Sequence, residues 1–140
     1  MKIDLVFQYA NMVAMLMWVM MIFLPKWKGT QFMIRFKLVP LGLSVLYAVY
    51  IFISLRAGGG MDFSSLDSVM ELFTQKNAVL AGWLHYLAFD LLVGMWILDQ
   101  NKELQIHHLF IVPCLIGAFM LGPIGFLLFT IMRTIKTKIS

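Results

Sequence analysis

Apolar and polar positions are arranged along this chain in blocks. Four long apolar stretches, at about residues 5–24, 38–55, 78–98 and 108–132, alternate with charged clusters at 2–4, 26–37, 56–76, 99–103 and 133–138. Each apolar stretch has 18 to 25 residues. An α-helix rising ~1.5 Å per residue needs roughly 20 residues to cross a hydrocarbon core about 30 Å thick. The pattern therefore predicts an all-α membrane protein: a four-transmembrane-helix bundle filling residues 1–140 as one integral membrane domain. A fifth, short element is expected between helices two and three. There Leu66, Val69, Met70 and Phe73 recur at helical spacing. Ser68 and Glu71 have capping-box spacing, and Ser65 would cap a slightly longer version. This reads as an amphipathic interfacial helix, either anchoring the loop among headgroups or covering a cavity mouth.

Composition supports the membrane assignment. Of 140 residues, 61% are hydrophobic and 13% charged, against about 25% charged in an ordinary soluble domain. The lone Cys114 excludes an internal disulfide and thiolate metal chelation. The first stretch imitates a signal peptide, but Asp4 interrupts the basic start and Pro25-Lys26-Trp27-Lys28 offers no small-residue cleavage site; it is expected to be a retained helix. With four crossings, Lys2, Arg56, Lys76, Arg133, Lys136 and Lys138 share one side and the other five basic residues the opposite one. The positive-inside rule then barely distinguishes the two faces. The net charge of +4 is spread among loops, so no nucleic-acid partner is expected.

Within the blocks, a few polar residues interrupt. Pro25 ends helix one, which carries Asn11. Helix two carries Ser44, Tyr47 and Ser54 on one face, with Tyr50 nearby, and that face is expected to turn into the bundle. The stretch RAGGG after it reads as flexible. Helix four contains Pro113, Gly117, Gly122, Pro123 and Gly125; Pro123 is expected to kink it, and the glycines to permit close backbone approach or to line a gap wide enough for a polyene.

Candidate chemistry centres on WLHYLAFD, residues 83–90. In a helix spanning 78–98, Asp90 lies about 3 Å from the midplane and His85 about 4.5 Å on the other side. An aspartate at that depth costs about 3 kcal/mol on insertion scales, so its retention points to function. At 100° per residue, Trp83, Tyr86, Asp90 and Gly94 share a face, while His85 sits about 140° from Asp90. Burial disfavours the charged form of each, leaving a protonated acid and a neutral base suited to acid–base work on an apolar substrate. The alternative is that Asp90 bonds Tyr86, Ser44, Tyr47 or Asn11 and locks helix packing. His107 and His108 are adjacent, diverge by about 100° on a helix, and make a poor chelating pair; no metal or other cofactor is expected.

AGWLHYLAFDLLVGMWI, then IHHLFIVPCL and FMLGPIGFLL, together with the earlier FLPKWKGTQ, resemble the abscisic-acid-deficient-four-like family. Its plant members are chloroplast membrane proteins linked to neoxanthin synthesis. The likeness runs from helix one to Phe129. It implies four membrane helices and action on a carotenoid or isoprenoid-like lipid, as a neoxanthin-synthase-like isomerase. Violaxanthin-to-neoxanthin conversion opens an epoxide and forms an allene without net oxidation, which needs an acid at the epoxide oxygen and a base at a ring-adjacent proton. By resemblance, His85 and Asp90 match the central motif and His108 the later histidine; His107 departs from the proline associated with its place. Nothing resembles a transit segment, and the small chain is bacterial in scale, for which the expected location is the inner membrane.

The catalytic reading assigns Asp90 as acid and His85 as base, supported by Tyr86. Substrate contacts fall to Trp83, Tyr47, Ser44, Asn11, His108, Gly117 and Gly122. The competing readings are a non-catalytic lipid- or carotenoid-binding or scaffold protein, and a proton or ion path resting on the buried Asp/His pair. Membrane lipids are expected neighbours, and the small residues of helix four allow a homodimer.

Overall fold

Charged clusters end up at the helix ends and apolar blocks become helices, because only an internally hydrogen-bonded backbone is stable without water. In the computed structural model, which describes residues 2–58 and 60–140, all regular structure is α-helical. Met1 and Gly59, the latter within the expected flexible RAGGG stretch, lie outside the described residues. The elements are α1 (Ile3–Phe23), α2 (Lys28–Phe36), α3 (Leu38–Arg56), α4 (Leu66–Leu72), α5 (Lys76–Leu104), α6 (His108–Leu121) and α7 (Pro123–Ile139). Three of them, α1, α3 and α5, with 21, 19 and 29 residues, are long and apolar enough to cross a membrane. Their outer faces are greasy throughout: Leu16, Leu41, Val45 and Phe89 are all more than half exposed, a surface that water would not tolerate.

α5 is the central helix, packed by α1, α3, α6 and α7. It continues past the expected end at 98 to Leu104 because Gln100, Lys102 and Glu103 are good helix formers able to project into water. Gln105 stops it in the left-handed region at φ 53°. The Asn101 side chain then clamps the turn, donating to Ile106 O at 2.8 Å and accepting from Ile106 N at 2.9 Å. His107 caps α6, its Nδ1 accepting from Leu109 N at 3.3 Å. His108 Nε2 meets Ile22 O at 2.7 Å, a carbonyl left orphaned where α1 ends before Pro25.

Two elements differ from expectation. The basic connection contains a helix, α2, whose buried face is Thr30 and Ile34. More consequentially, the single helix expected over 108–132 is two helices. The chain reverses at Gly122, with φ 28° and ψ −80°, and Pro123 opens α7 where its missing N–H costs nothing. α7 folds back on α6 with the backbones in contact. A Cβ on Gly117 would lie 3.1 Å from Gly125 Cα, and one on Gly125 would overlap Cys114 O and Ala118 N. The direction of α7 follows from its contacts with α5. Met120 and Gly122 lie at Tyr86 and Asp90. Phe126 and Phe129 then pack on Trp96, at ring centroid distances of 5.3 and 5.4 Å. α6 thus descends alongside α5 to its middle, and α7 climbs back towards the same end.

Of the short interfacial element, the longer version forms: Ser65 caps α4, its Oγ accepting from Ser68 N at 3.1 Å. The preceding loop is shaped by Asp62, which accepts from Ser64 N at 2.9 Å. Hydrogen bonds from the Ser64 hydroxyl and amide hold the Asp62 carboxyl below its ordinary value.

Candidate functional site

The faces of α5 sort the candidate residues as a 100° helical projection requires. Trp83, Tyr86, Asp90 and Gly94 point towards α1 and the α6–α7 hairpin. Trp83 Nε1 donates to Asn11 Oδ1 at 2.9 Å, while Asn11 Nδ2 donates to Phe7 O of its own helix. Tyr86 Oη donates to Met120 O at 3.1 Å, satisfying a carbonyl freed where α6 ends. Asp90 reaches the reversal itself: a Cβ on Gly122 would overlap its Oδ1. Its Oδ2 is buried without a hydrogen-bond partner. Gly94 admits the Trp18 ring, which would stand 2.6 Å from an added Cβ.

His85 faces the other way. Its ring stacks on Phe89 at 4.6 Å with a 10° interplanar angle and meets Tyr47 edge-on at 5.6 Å. It lines a cavity of about 330 Å³ between α3 and α5. The walls come from Tyr47, Ile51 and Ser54 of α3 and from Ala78, Gly82 and His85 of α5; Met61, Phe63, Leu72 and Phe73 supply the roof. Gly82 lets that roof approach closely, since a Cβ there would stand 2.9 Å from the Phe73 ring. The lining is apolar except for one imidazole, one phenol and the buried Ser54 hydroxyl, the composition of a site that holds a greasy ligand by few polar contacts.

His85 and Asp90 are therefore brought to opposite sides of α5 and share no cavity. The polar face expected on helix two also divides. Tyr47 and Ser54 line the cavity, Tyr50 is buried, and Ser44 is exposed with its hydroxyl returned to Pro40 O at 2.8 Å. A hydroxyl satisfied by its own helix needs no partner in the bundle, and Ser44 does not line the cavity. Gly117 does not border a gap; it is closed by Gly125, and Gly122 by Asp90. His108 ties α6 to α1, and Asn11 is engaged by Trp83. His85 lies apart from the adjacent His107 and His108, which border another cavity at the turn between α5 and α6, and no group of three metal-ligating side chains gathers among the described residues. The roof residues Met61 and Phe63 gave one sequence signal, two large apolar side chains in a loop otherwise rich in glycine and serine.

The sequence model of the ABA DEFICIENT 4-like family matches residues 5–129, and the chain belongs to that family. No curated protein and no solved structure matches it.

Proposed function

We propose that this member of the ABA DEFICIENT 4-like family takes the oxygenated ring of a carotenoid or related isoprenoid lipid into the α3–α5 cavity and rearranges it by proton transfer. The observation that carries this reading is the position of His85, an imidazole in an apolar cavity roofed by α4 and large enough for a ring. The family's link to neoxanthin synthesis supplies the substrate class. In an epoxide-to-allene isomerisation, the Tyr47 hydroxyl hydrogen-bonds the epoxide oxygen and gives it a proton as the C–O bond breaks. His85 removes a proton from the adjacent carbon, whose electron pair becomes the new double bond. The proton on His85 then returns to Tyr47, so nothing is oxidised and neither side chain is consumed.

A second reading places the acid at Asp90. The partnerless buried Oδ2 beside Tyr86 favours it, because such an oxygen is costly unless it meets a guest. Expression of His85→Ala, Tyr47→Phe and Asp90→Asn in a host that makes epoxy-carotenoids separates these readings. The expected result is lost conversion in the first two variants with pigment still co-purifying. Loss only in Asp90→Asn moves the chemistry to the hairpin. Unchanged product in all three removes catalysis, and bound but unaltered pigment with the unsubstituted protein leaves binding alone.

In the membrane, the chain is read as three crossings plus a re-entrant hairpin, with α4 at the opposite interface covering the cavity. α6 spans about 21 Å and α7 about 26 Å, each short of the ~30 Å core. Their reversal at the level of Asp90 returns the C-terminus to the side it left. Lys26, Lys28, Arg35, Lys37, Lys102, Arg133, Lys136 and Lys138 then share one face, leaving only Lys2, Arg56 and Lys76 on the other. That bias supports a cytoplasmic placement of the basic face.

A further inference from the structure

The basic face contains a built feature outside the cavity just described. α2 is joined to α3 through Lys37, whose left-handed backbone (φ 50°, ψ 37°) turns α2 aside so that it lies near the C-terminal end of α5. Between them opens a cavity of about 590 Å³ lined by Lys28, Arg35, Lys37 and Lys102. Phe32 and Phe36 border it, their ring centroids 4.9 Å apart and the rings tilted by 58°, and they are 56% and 51% exposed. One acid enters the group: Asp99 pairs with Lys37 at 2.9 Å and with Lys102 at 2.8 Å. Lys28 and Arg35 have no carboxylate partner among the described residues, so the one carboxylate leaves two of the four cations unpaired. The Arg35 guanidinium carbon lies 5.6 Å from the centroid of the Phe36 ring, over its face.

We propose that this cavity binds the phosphate of an anionic phospholipid. Arginine and lysine suit a phosphate diester, Arg35 by its forked donors and Lys28 as a point charge. The excess of positive charge selects a headgroup with net negative charge, since no second carboxylate stands ready for a choline or ethanolamine nitrogen. Phe32 and Phe36 continue the site onto the apolar start of α3 at Leu38, which fits the glycerol and first acyl carbons and distinguishes a lipid from a free anion. The placement of this face at the headgroups rests on the membrane crossings of α1, α3 and α5 proposed above; it does not rest on the carotenoid reading.

The test uses the full chain, delipidated in a neutral detergent, with short-chain phosphatidylglycerol, phosphatidylcholine or inorganic phosphate as probes. Native mass spectrometry counts retained lipid and tryptophan fluorescence follows the Tm. Phosphatidylglycerol should be retained and raise the Tm, while phosphatidylcholine and inorganic phosphate should do neither. The double variant Lys28→Gln/Arg35→Gln should weaken phosphatidylglycerol binding about 30-fold, from two lost interfacial charges. Its lipid-free Tm should stay that of the unsubstituted protein, and Lys2→Gln/Lys76→Gln on the other face should bind unchanged. Equal retention of phosphatidylcholine, or undiminished phosphatidylglycerol binding by the double variant, overturns the proposal. Displacement of the lipid by inorganic phosphate overturns it in favour of a free-anion site. His85→Ala should not alter lipid retention, so failure here and failure of the cavity chemistry are read separately.

Discussion

At the scale of single residues, α5 works as a partition. His85 and Asp90, five positions apart, serve different rooms: one a roofed cavity, the other a helix reversal. The angular separation was legible from helical geometry alone, as was the shared face of Trp83, Tyr86, Asp90 and Gly94. What each face would meet was not legible, because projection angles describe one helix and say nothing of its neighbours. Ser44 shows the same limit: its spacing matched Tyr47 and Ser54, yet its hydroxyl bonds its own helix and looks outward. Two substitutions test the partition. Gly122→Ala forces a Cβ into a left-handed position against Asp90 and should cost about 1–3 kcal/mol in detergent unfolding. Ser44→Ala should leave the Tm unchanged within error, since it deletes only a bond within one helix.

At the scale of elements, length and apolarity were enough to find α1, α3 and α5, and the cap at Ser65 marked α4. They were not enough for α2 or for the hairpin. In α2 the buried face is only Thr30 and Ile34, two positions in a basic segment that otherwise resembles a loop. In the last apolar block, a helix that crosses and two helices that turn back need equally greasy residues, so hydropathy is blind to the difference. The information lay in LGPIG, where glycine takes the positive φ, proline starts the next helix, and Gly125 lets the backbones touch. Gly125→Leu should therefore be severe, because its Cβ would overlap backbone atoms of α6, with a loss of about 3 kcal/mol or more and a large drop in Tm. The roof of the cavity offers a gentler test. Removing the cap by Ser65→Ala should cost about 1 kcal/mol locally and speed amide exchange over residues 61–73. The same loop should loosen in acid. The folded carboxyl of Asp62 titrates below its ordinary value of 3.8. Its contribution is therefore present above that value and is lost as pH falls through the lower folded one.

At the scale of the whole molecule, the proposed topology makes the hairpin decide the sidedness of the chain. Four crossings would divide the basic residues nearly evenly; three crossings and a hairpin gather eight of eleven together. A cysteine introduced at Ser140 tests this, beside the buried native Cys114. Membrane-impermeant maleimide should leave it unlabelled in intact cells and label it after the cytoplasmic face is opened. Labelling in intact cells would return the last segment to a full crossing. Cys114→Ser is the control for the native thiol.

In the proposed topology, the reversal at mid-depth also gives the body unequal girth. Five helical sections surround or form its core in the half of the bilayer nearest the basic face, and three in the other half. A protein tapered in this way displaces more lipid from one leaflet than from the other, so it should settle where the membrane already bends to suit a wedge, and its density along flat and curved regions should differ.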